Sequence, residues 1–161
     1  MEIELKYLFE DESSKDAIFN DKYIQKIMDE GSEAVTPMHA IYMDTVDGAL
    51  RKKGMAFRVR FEYSKYVATL KWGGSAEEGL HVRGELNVAV EEDFLKNPTL
   101  DVFKGSEIYD EITETVGNSE LVPVVEMNYV RREVRVDTGM SISVLSVDEG
   151  EIKTLNGDIP I

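Results

Sequence analysis

The 161-residue chain sets 18 Lys and Arg against 32 Asp and Glu, a net charge of −14, with 42% hydrophobic residues and no cysteine. That length and hydrophobic content suit one domain over 1–161 with its own core, and the lack of cysteine excludes disulfides and thiolate metal sites and fits a reducing, cytoplasmic setting. The acidic balance argues against non-specific binding to nucleic acid or to an anionic membrane; no apolar run approaches a membrane span, and the start reads as a charged strand rather than a signal peptide.

Met1-Glu2-Ile3-Glu4-Leu5-Lys6-Tyr7 alternates as a strand does. Glu2, Glu4 and Lys6 share one face; Ile3, Leu5 and Tyr7 share the other, which is expected to meet the core. Neighbouring carboxylates repel unless a cation lies between them, and a hard divalent ion such as Mg²⁺ or Mn²⁺ would supply one. On one strand alone, such alternation is the ordinary solvated side of a half-covered sheet.

Asp11 to Ser14 supplies helix-starting residues, Ala17, Ile24, Ile27 and Met28 follow at helical spacing, and Gly31 ends the segment. Val35 to Met43 reads as a strand, and Asp47-Gly48 and Lys53-Gly54 mark turns. In Phe57-Arg58-Val59-Arg60-Phe61 both arginines oppose three apolar side chains. Tyr63 to Tyr66 is a hairpin connection. Thr69 and Lys71 oppose Leu70 and Trp72, and Gly73-Gly74 to Gly79 reads as a flexible acidic loop. His81, Arg83, Glu85 and Asn87 then share a polar face. Ile108, Ile112 and Val116 define a second helix ending at Gly117-Asn118. Strands resume at Pro123, with Arg131, Glu133 and Arg135 opposite Val130, Val134 and Val136.

Two architectures fit these two-faced strands. The charged faces could point to water around a sandwich core, or the sheet could close, with charged faces lining a lumen and apolar faces packing outward against helices. Arg58, Arg60, Lys71, Arg83, Arg131 and Arg135 gather on the strands of an otherwise acidic chain, which suggests an anion site, and arginine forks match phosphate oxygens.

At this point the sequence resembles a family. Glu2-x-Glu4-x-Lys6, Ile41-Tyr42-Met43-Asp44-Thr45, Leu50, Phe57-Arg58-Val59-Arg60, Ala68-Thr69-Leu70-Lys71, Gly79-Leu80-His81-Val82-Arg83-Gly84-Glu85-Leu86-Asn87, Asn128-Tyr129-Val130-Arg131 and Ser146-Val147-Asp148-Glu149-Gly150-Glu151-Ile152 resemble, in order, the CYTH superfamily of triphosphate tunnel metalloenzymes. The likeness is greatest to the inorganic triphosphatase branch.

The resemblance implies an α+β fold built on a mainly antiparallel, closed β-barrel with helices outside. It implies a metal-dependent triphosphatase acting on a small-molecule triphosphate with Mg²⁺ or Mn²⁺. Lys6, Arg58, Arg60, Lys71, Arg83 and Arg131 would hold phosphates; Glu2, Glu4 and Asp148 would belong to the metal site; Glu2, Glu4, Lys6 and Lys71 would carry catalysis. Glu85, Glu133 and Arg135 would support them. Family members carry a further Glu-x-Glu strand after the Asp-x-Gly segment, whereas here Asp158-Ile159-Pro160-Ile161 stands where that strand would start. A strand missing there would leave an open edge and a weaker metal site.

His39 reads as structural, and His81 stands beside Arg83 in sequence parity. Trp72 belongs to the core face, and Arg132 lies over the outer surface by its stem. No Ser-His-Asp set and no Walker-type glycine loop is present. The alternatives to a triphosphatase are a nucleotide-converting relative of the adenylyl cyclase type, which needs a nucleoside pocket, and a non-catalytic polyanion-binding module.

Overall fold

The computed structural model describes the backbone of all residues but 1, 10, 12, 78, 79, 155, 156 and 161; side chains 2, 13, 75–77, 80–82 and 157–160 also lie outside the description. Eight strands form one sheet: β1 (Glu2–Leu5), β2 (Ala34–Thr45), β3 (Ala56–Glu62), β4 (Lys65–Glu77), β5 (Leu80–Val90), β6 (Leu121–Asp137), β7 (Ile142–Thr154) and β8 (Gly157–Pro160). Their order is β1-β5-β4-β3-β2-β6-β7-β8, and every pairing is antiparallel.

Hydrogen bonds do not close this sheet into the expected barrel. β1 and β8, four residues each, pair only with β5 and β7 and form its two edges. The segment 157–160, which stands where the further strand is expected to start, is paired with β7.

The helices are short: α1 (Ser13–Asn20), α2 (Lys22–Ile27), α3 (Ala49–Lys52) and α4 (Tyr109–Val116), with two 3₁₀ segments, Glu92–Lys96 and Leu100–Phe103. Among the described residues no helix is long and apolar enough to cross a membrane. The sequence spacing predicts one helix where α1 and α2 stand. Asp21 divides it, because its carboxylate accepts bonds from the amides of Tyr23 (2.8 Å) and Ile24 (3.2 Å) and so starts a new helix. The buried Asp44 does similar work for α3, accepting from the amides of Leu50 (2.9 Å) and Arg51 (3.1 Å).

Tyr63 and Ser64, with φ of 46° and 62°, make the two-residue turn between β3 and β4. Left-handed conformation at both turn positions matches the twist of a tight hairpin. The expected glycine loop after Trp72 is instead part of β4, with a register shift between Trp72 and Ser75 as it pairs with β5. Two glycines at positive φ let the strand bulge and continue.

One face of the sheet carries the core and the helices. Phe57, Leu70, Ile112 and Phe103 are fully buried in its main cluster, where Phe57 meets the Phe103 ring edge-on at 5.5 Å. Trp72 packs against this cluster, as its parity predicts. A second cluster seats Phe19 of α1 on Val134, Val136 and Val147. This layer stops short of the edge: Ile3, Leu5 and Tyr7, expected in the core, are exposed, because the described helices pack over the middle of the sheet rather than over β1.

The opposite, polar face is not flat. Arg60, Glu62, Lys71 and Glu85 keep only 14–19% of their side-chain surface in contact with water. The helices lie on the other face, so charges this far out of water mean that the sheet curls round its own polar face.

Gly150 fixes how closely β6 and β7 approach. It pairs with Tyr129, and a Cβ there would fall 2.1 Å from the Asn128 carbonyl oxygen and 2.5 Å from the Tyr129 Cα. Both obstacles are backbone and cannot rotate away. Gly150→Ala is expected to lower unfolding stability by about 3 kcal/mol, at the upper end for overpacking. Denaturant titration measures it, and an unchanged midpoint would show that the two strands are not packed this tightly.

Candidate functional site

Residues directly opposite on antiparallel strands share a face, so the register assembles the site. Arg58 pairs with Tyr42 on one side and Thr69 on the other, Arg60 with Ala40 and Val67, Lys71 with Glu85, and Arg131 with Thr36 and Asp148. Strands β2 to β7 thus bring Arg58, Arg60, Lys71, Glu85, Arg131 and Asp148 onto the concave face. Arg83 and Glu4 join them from β5 and β1, with Lys6 just beyond β1.

Half-buried charges need partners, and here each carboxylate partner comes from the same face. Arg60 meets Glu62 at 2.8 Å, and Lys71 meets Glu85 at 2.9 Å. Arg83 and Lys6 converge on one oxygen of Glu4, at 3.0 and 3.3 Å. Arg131 grips Asp148 with two bonds of 2.7 Å, one from Nε and one from Nη2. A chain from Thr69 to Asn87 (2.7 Å) and from Asn87 to Glu85 (2.5 Å) holds Glu85 against Lys71.

Arg58 differs. Its guanidinium lies 5.9 Å from the centre of the Tyr42 ring. Its Nε is buried and has no hydrogen-bond partner among the described residues; the Arg60 Nε is in the same condition. Buried N–H donors left without an acceptor are costly, and an anionic ligand would satisfy them.

The electrostatics agree with a cation-rich cleft. Burial works to raise the Glu4 pKa, but Lys6, Arg83 and Lys71 together outweigh it, and the carboxyl is held below its usual value. The Asp148 fork pushes the Arg131 pKa up and keeps the guanidinium charged. Burial raises the Tyr129 pKa despite the nearby arginines, so its phenol stays neutral.

The remaining residues singled out in the sequence fall elsewhere or outside the description. Arg135 turns to Asp29, while Glu133, two residues along β6 from Arg131 on the same face, accepts from the Tyr63 hydroxyl at 2.6 Å and adds its charge to the field on Arg131. Glu2 is placed by register opposite Arg83, but its side chain, like that of His81, lies outside the described residues. His39 pairs with Glu126 at 2.9 Å. Arg132 lies on the outer face, 4.1 Å from the Phe19 ring centre and 2.8 Å from Glu33.

Among the described residues no three His, Asp or Glu side chains stand together as a metal site. Glu4 and Asp148 are each taken up by a guanidinium, so the described carboxylates alone do not fit a resident ion.

Sequence reasoning missed Glu62, and it gave no role to Tyr42 or to Asn87, which it had placed on the polar face. Glu62 was within reach, since it continues the 58, 60 alternation by one step. Tyr42 carried no such signal, because β2 is apolar on both faces and its periodicity is silent about which face is which.

The site is thus an antiparallel sheet curled round paired cations and carboxylates, with helices on its back. The sequence matches the CYTH domain over residues 1–159, and the chain belongs to that family. Solved structures similar in fold include an adenylyl cyclase-like protein from Hippeastrum described as having a dominant triphosphatase activity. It has a TM-score of 0.71 and 23% identity over 94% of this chain and 73% of that one. A second is an adenylate cyclase candidate from Bacillus halodurans, with a TM-score of 0.56 and 18% identity over 98% of this chain and 74% of that one. Both likenesses speak to the fold.

Proposed function

We propose that this protein binds a linear triphosphate and hydrolyses it, inorganic triphosphate being the simplest substrate, with Mg²⁺ or Mn²⁺ as cofactor. The observation that carries the reading is the set of cations from four strands, Arg58, Arg60, Lys71, Arg83 and Arg131, on one concave face of an acidic protein. A triphosphate carries several charges in a row, and a row of cations is its complement.

Carboxylates pair with Arg60, Lys71, Arg83 and Arg131 in the free protein. Phosphate oxygens accept the same forked bonds, so binding exchanges one anion for another at Arg60, Lys71, Arg83 and Arg131. Among the described residues Arg58 has no carboxylate to displace, which makes it the first contact. Lys71, positioned by the Glu85–Asn87–Thr69 chain, is the cation best fixed to steady charge as the anhydride bond breaks.

Glu2, Glu4 and Asp148 are the carboxylates proposed for the ion. The engagement of Glu4 and Asp148 with arginines favours an ion that arrives with the triphosphate, as is usual for magnesium at phosphate sites.

The experiment is phosphate release from tripolyphosphate with Mg²⁺, with Mn²⁺ and with EDTA. Release with an ion and none with EDTA is expected. Binding without release under any ion would leave a polyanion-binding module, and cyclic AMP formed from ATP would establish the nucleotide-converting alternative.

A further inference from the structure

β3 and β6 both run antiparallel to β2, so they run the same way along the concave face. On each, a carboxylate follows the arginine by two residues on the same face: Glu62 after Arg60, and Glu133 after Arg131. The two carboxylates therefore stand at one end of the row of cations. It is the end where Tyr63 and Ser64 turn β3 into β4.

Tyr63 crosses that end. From the turn beyond β3 its side chain reaches past β2 to β6, where its hydroxyl donates to Glu133 at 2.6 Å. On the way it lies close to Thr36, which pairs with Arg131. A bond that spans the neighbouring strands β3, β2 and β6 narrows the mouth of a curled sheet. The residue type is not set by the turn: at φ of 46° Asn or Gly is usual, and a bulky side chain is rare. The bond to Glu133, ahead of every other influence, pushes the Tyr63 pKa up, so the hydroxyl stays protonated and keeps donating.

Glu133 is half-buried and takes this bond from a neutral hydroxyl rather than from a cation, while its neighbour Arg131 is forked to Asp148. Its negative charge is left to act on whatever lies beside Arg131. Glu62 is met by Arg60 at 2.8 Å. Lys65 faces this end as well, opposite Glu62 in the register, but it is exposed and solvent screens its charge. Arg135, further along β6, turns to Asp29.

We propose that the Tyr63–Glu133 bridge closes this end of the concave face to phosphate and so limits the length of chain the site rewards, a specificity that rests on the triphosphate reading above. A further phosphate in line past Arg131 meets the Tyr63 ring and the Glu133 carboxylate, like charge against like charge. It gains no contact there and hangs in water at the other end of the row. An open row of cations would instead bind a longer chain tighter, since each added phosphate brings more negative charge.

The test titrates tripolyphosphate and linear tetrapolyphosphate calorimetrically into wild type, Glu133→Gln and Tyr63→Ala, in EDTA so that neither probe is hydrolysed. The quantity read is the ratio of the two affinities, which cancels any general loss of binding. Tetrapolyphosphate is expected to bind wild type no more than about twofold tighter than tripolyphosphate. In Glu133→Gln its relative affinity should rise about fivefold, the effect of removing one like charge at contact range across water. Tyr63→Ala removes the ring and frees the carboxylate to turn into solvent, and should raise the ratio by a similar factor.

Tetrapolyphosphate binding wild type more than about twofold tighter, a comparison that needs no variant, would overturn the inference while leaving triphosphate binding intact. So would a ratio within about twofold of the wild-type value in either variant. If neither probe binds, the triphosphate reading fails and this inference fails with it.

Discussion

Arg58→Ala is expected to weaken tripolyphosphate binding by about 1.5–3 kcal/mol, roughly 10- to 150-fold in Kd. The side chain lies on the concave face, its Nε is buried without an acceptor among the described residues, and its one described contact is the Tyr42 ring. Its loss removes charge and donors and, among the described residues, strands no carboxylate partner. Arg58→Lys should recover only part, since an ammonium keeps the charge but not the fork. Arg60→Ala acts on the same scale with an added cost, because it strands Glu62 as an unpaired negative charge beside the substrate. Calorimetric titration reads all three, and an Arg58→Ala protein that binds like wild type would remove Arg58 from the site.

Phe57→Ala is expected to lower stability by about 3–5 kcal/mol, the cost of emptying a fully buried aromatic site. Phe57 neighbours Arg58 in sequence but points the other way, between the rings of Phe94 and Phe103 at 6.5 and 5.5 Å. Equilibrium denaturation measures the loss, and a change below about 1 kcal/mol would show that the core does not sit on this face. Together the two substitutions separate what β3 does for the fold from what it does for the ligand.

β3 was the most legible part of the sequence. Phe57, Val59 and Phe61 against Arg58 and Arg60 state both faces without ambiguity, and the structure turns the two arginines to the concave side. The long-range partner of each cation was not legible: that Arg131 would grip Asp148, or Arg83 reach Glu4, depends on register, which alternation alone does not fix.

β1 shows a different limit. Its apolar face was read as core, but a strand is covered only if a neighbouring element reaches it, and the described helices pack over the middle of the sheet. Closure of the barrel failed as an expectation for a related reason: two-faced strands specify which way side chains point, not whether the first strand meets the last.

The account's central claim is that one face of this sheet is an anion site and the other is not. Arg131 and Arg132 test it most directly, since they are adjacent in the chain and lie on opposite faces: Arg131 forked to Asp148 on the concave side, Arg132 held by Glu33 and the Phe19 ring on the outer side. The measurement is calorimetric titration of tripolyphosphate into Arg131→Ala and Arg132→Ala. Arg131→Ala should weaken binding at least about tenfold, because it removes a fork and leaves Asp148 uncompensated, while Arg132→Ala should stay within about twofold of wild type. Equal losses in the two variants would contradict the assignment of faces, and with it the reading of the concave face as a triphosphate site.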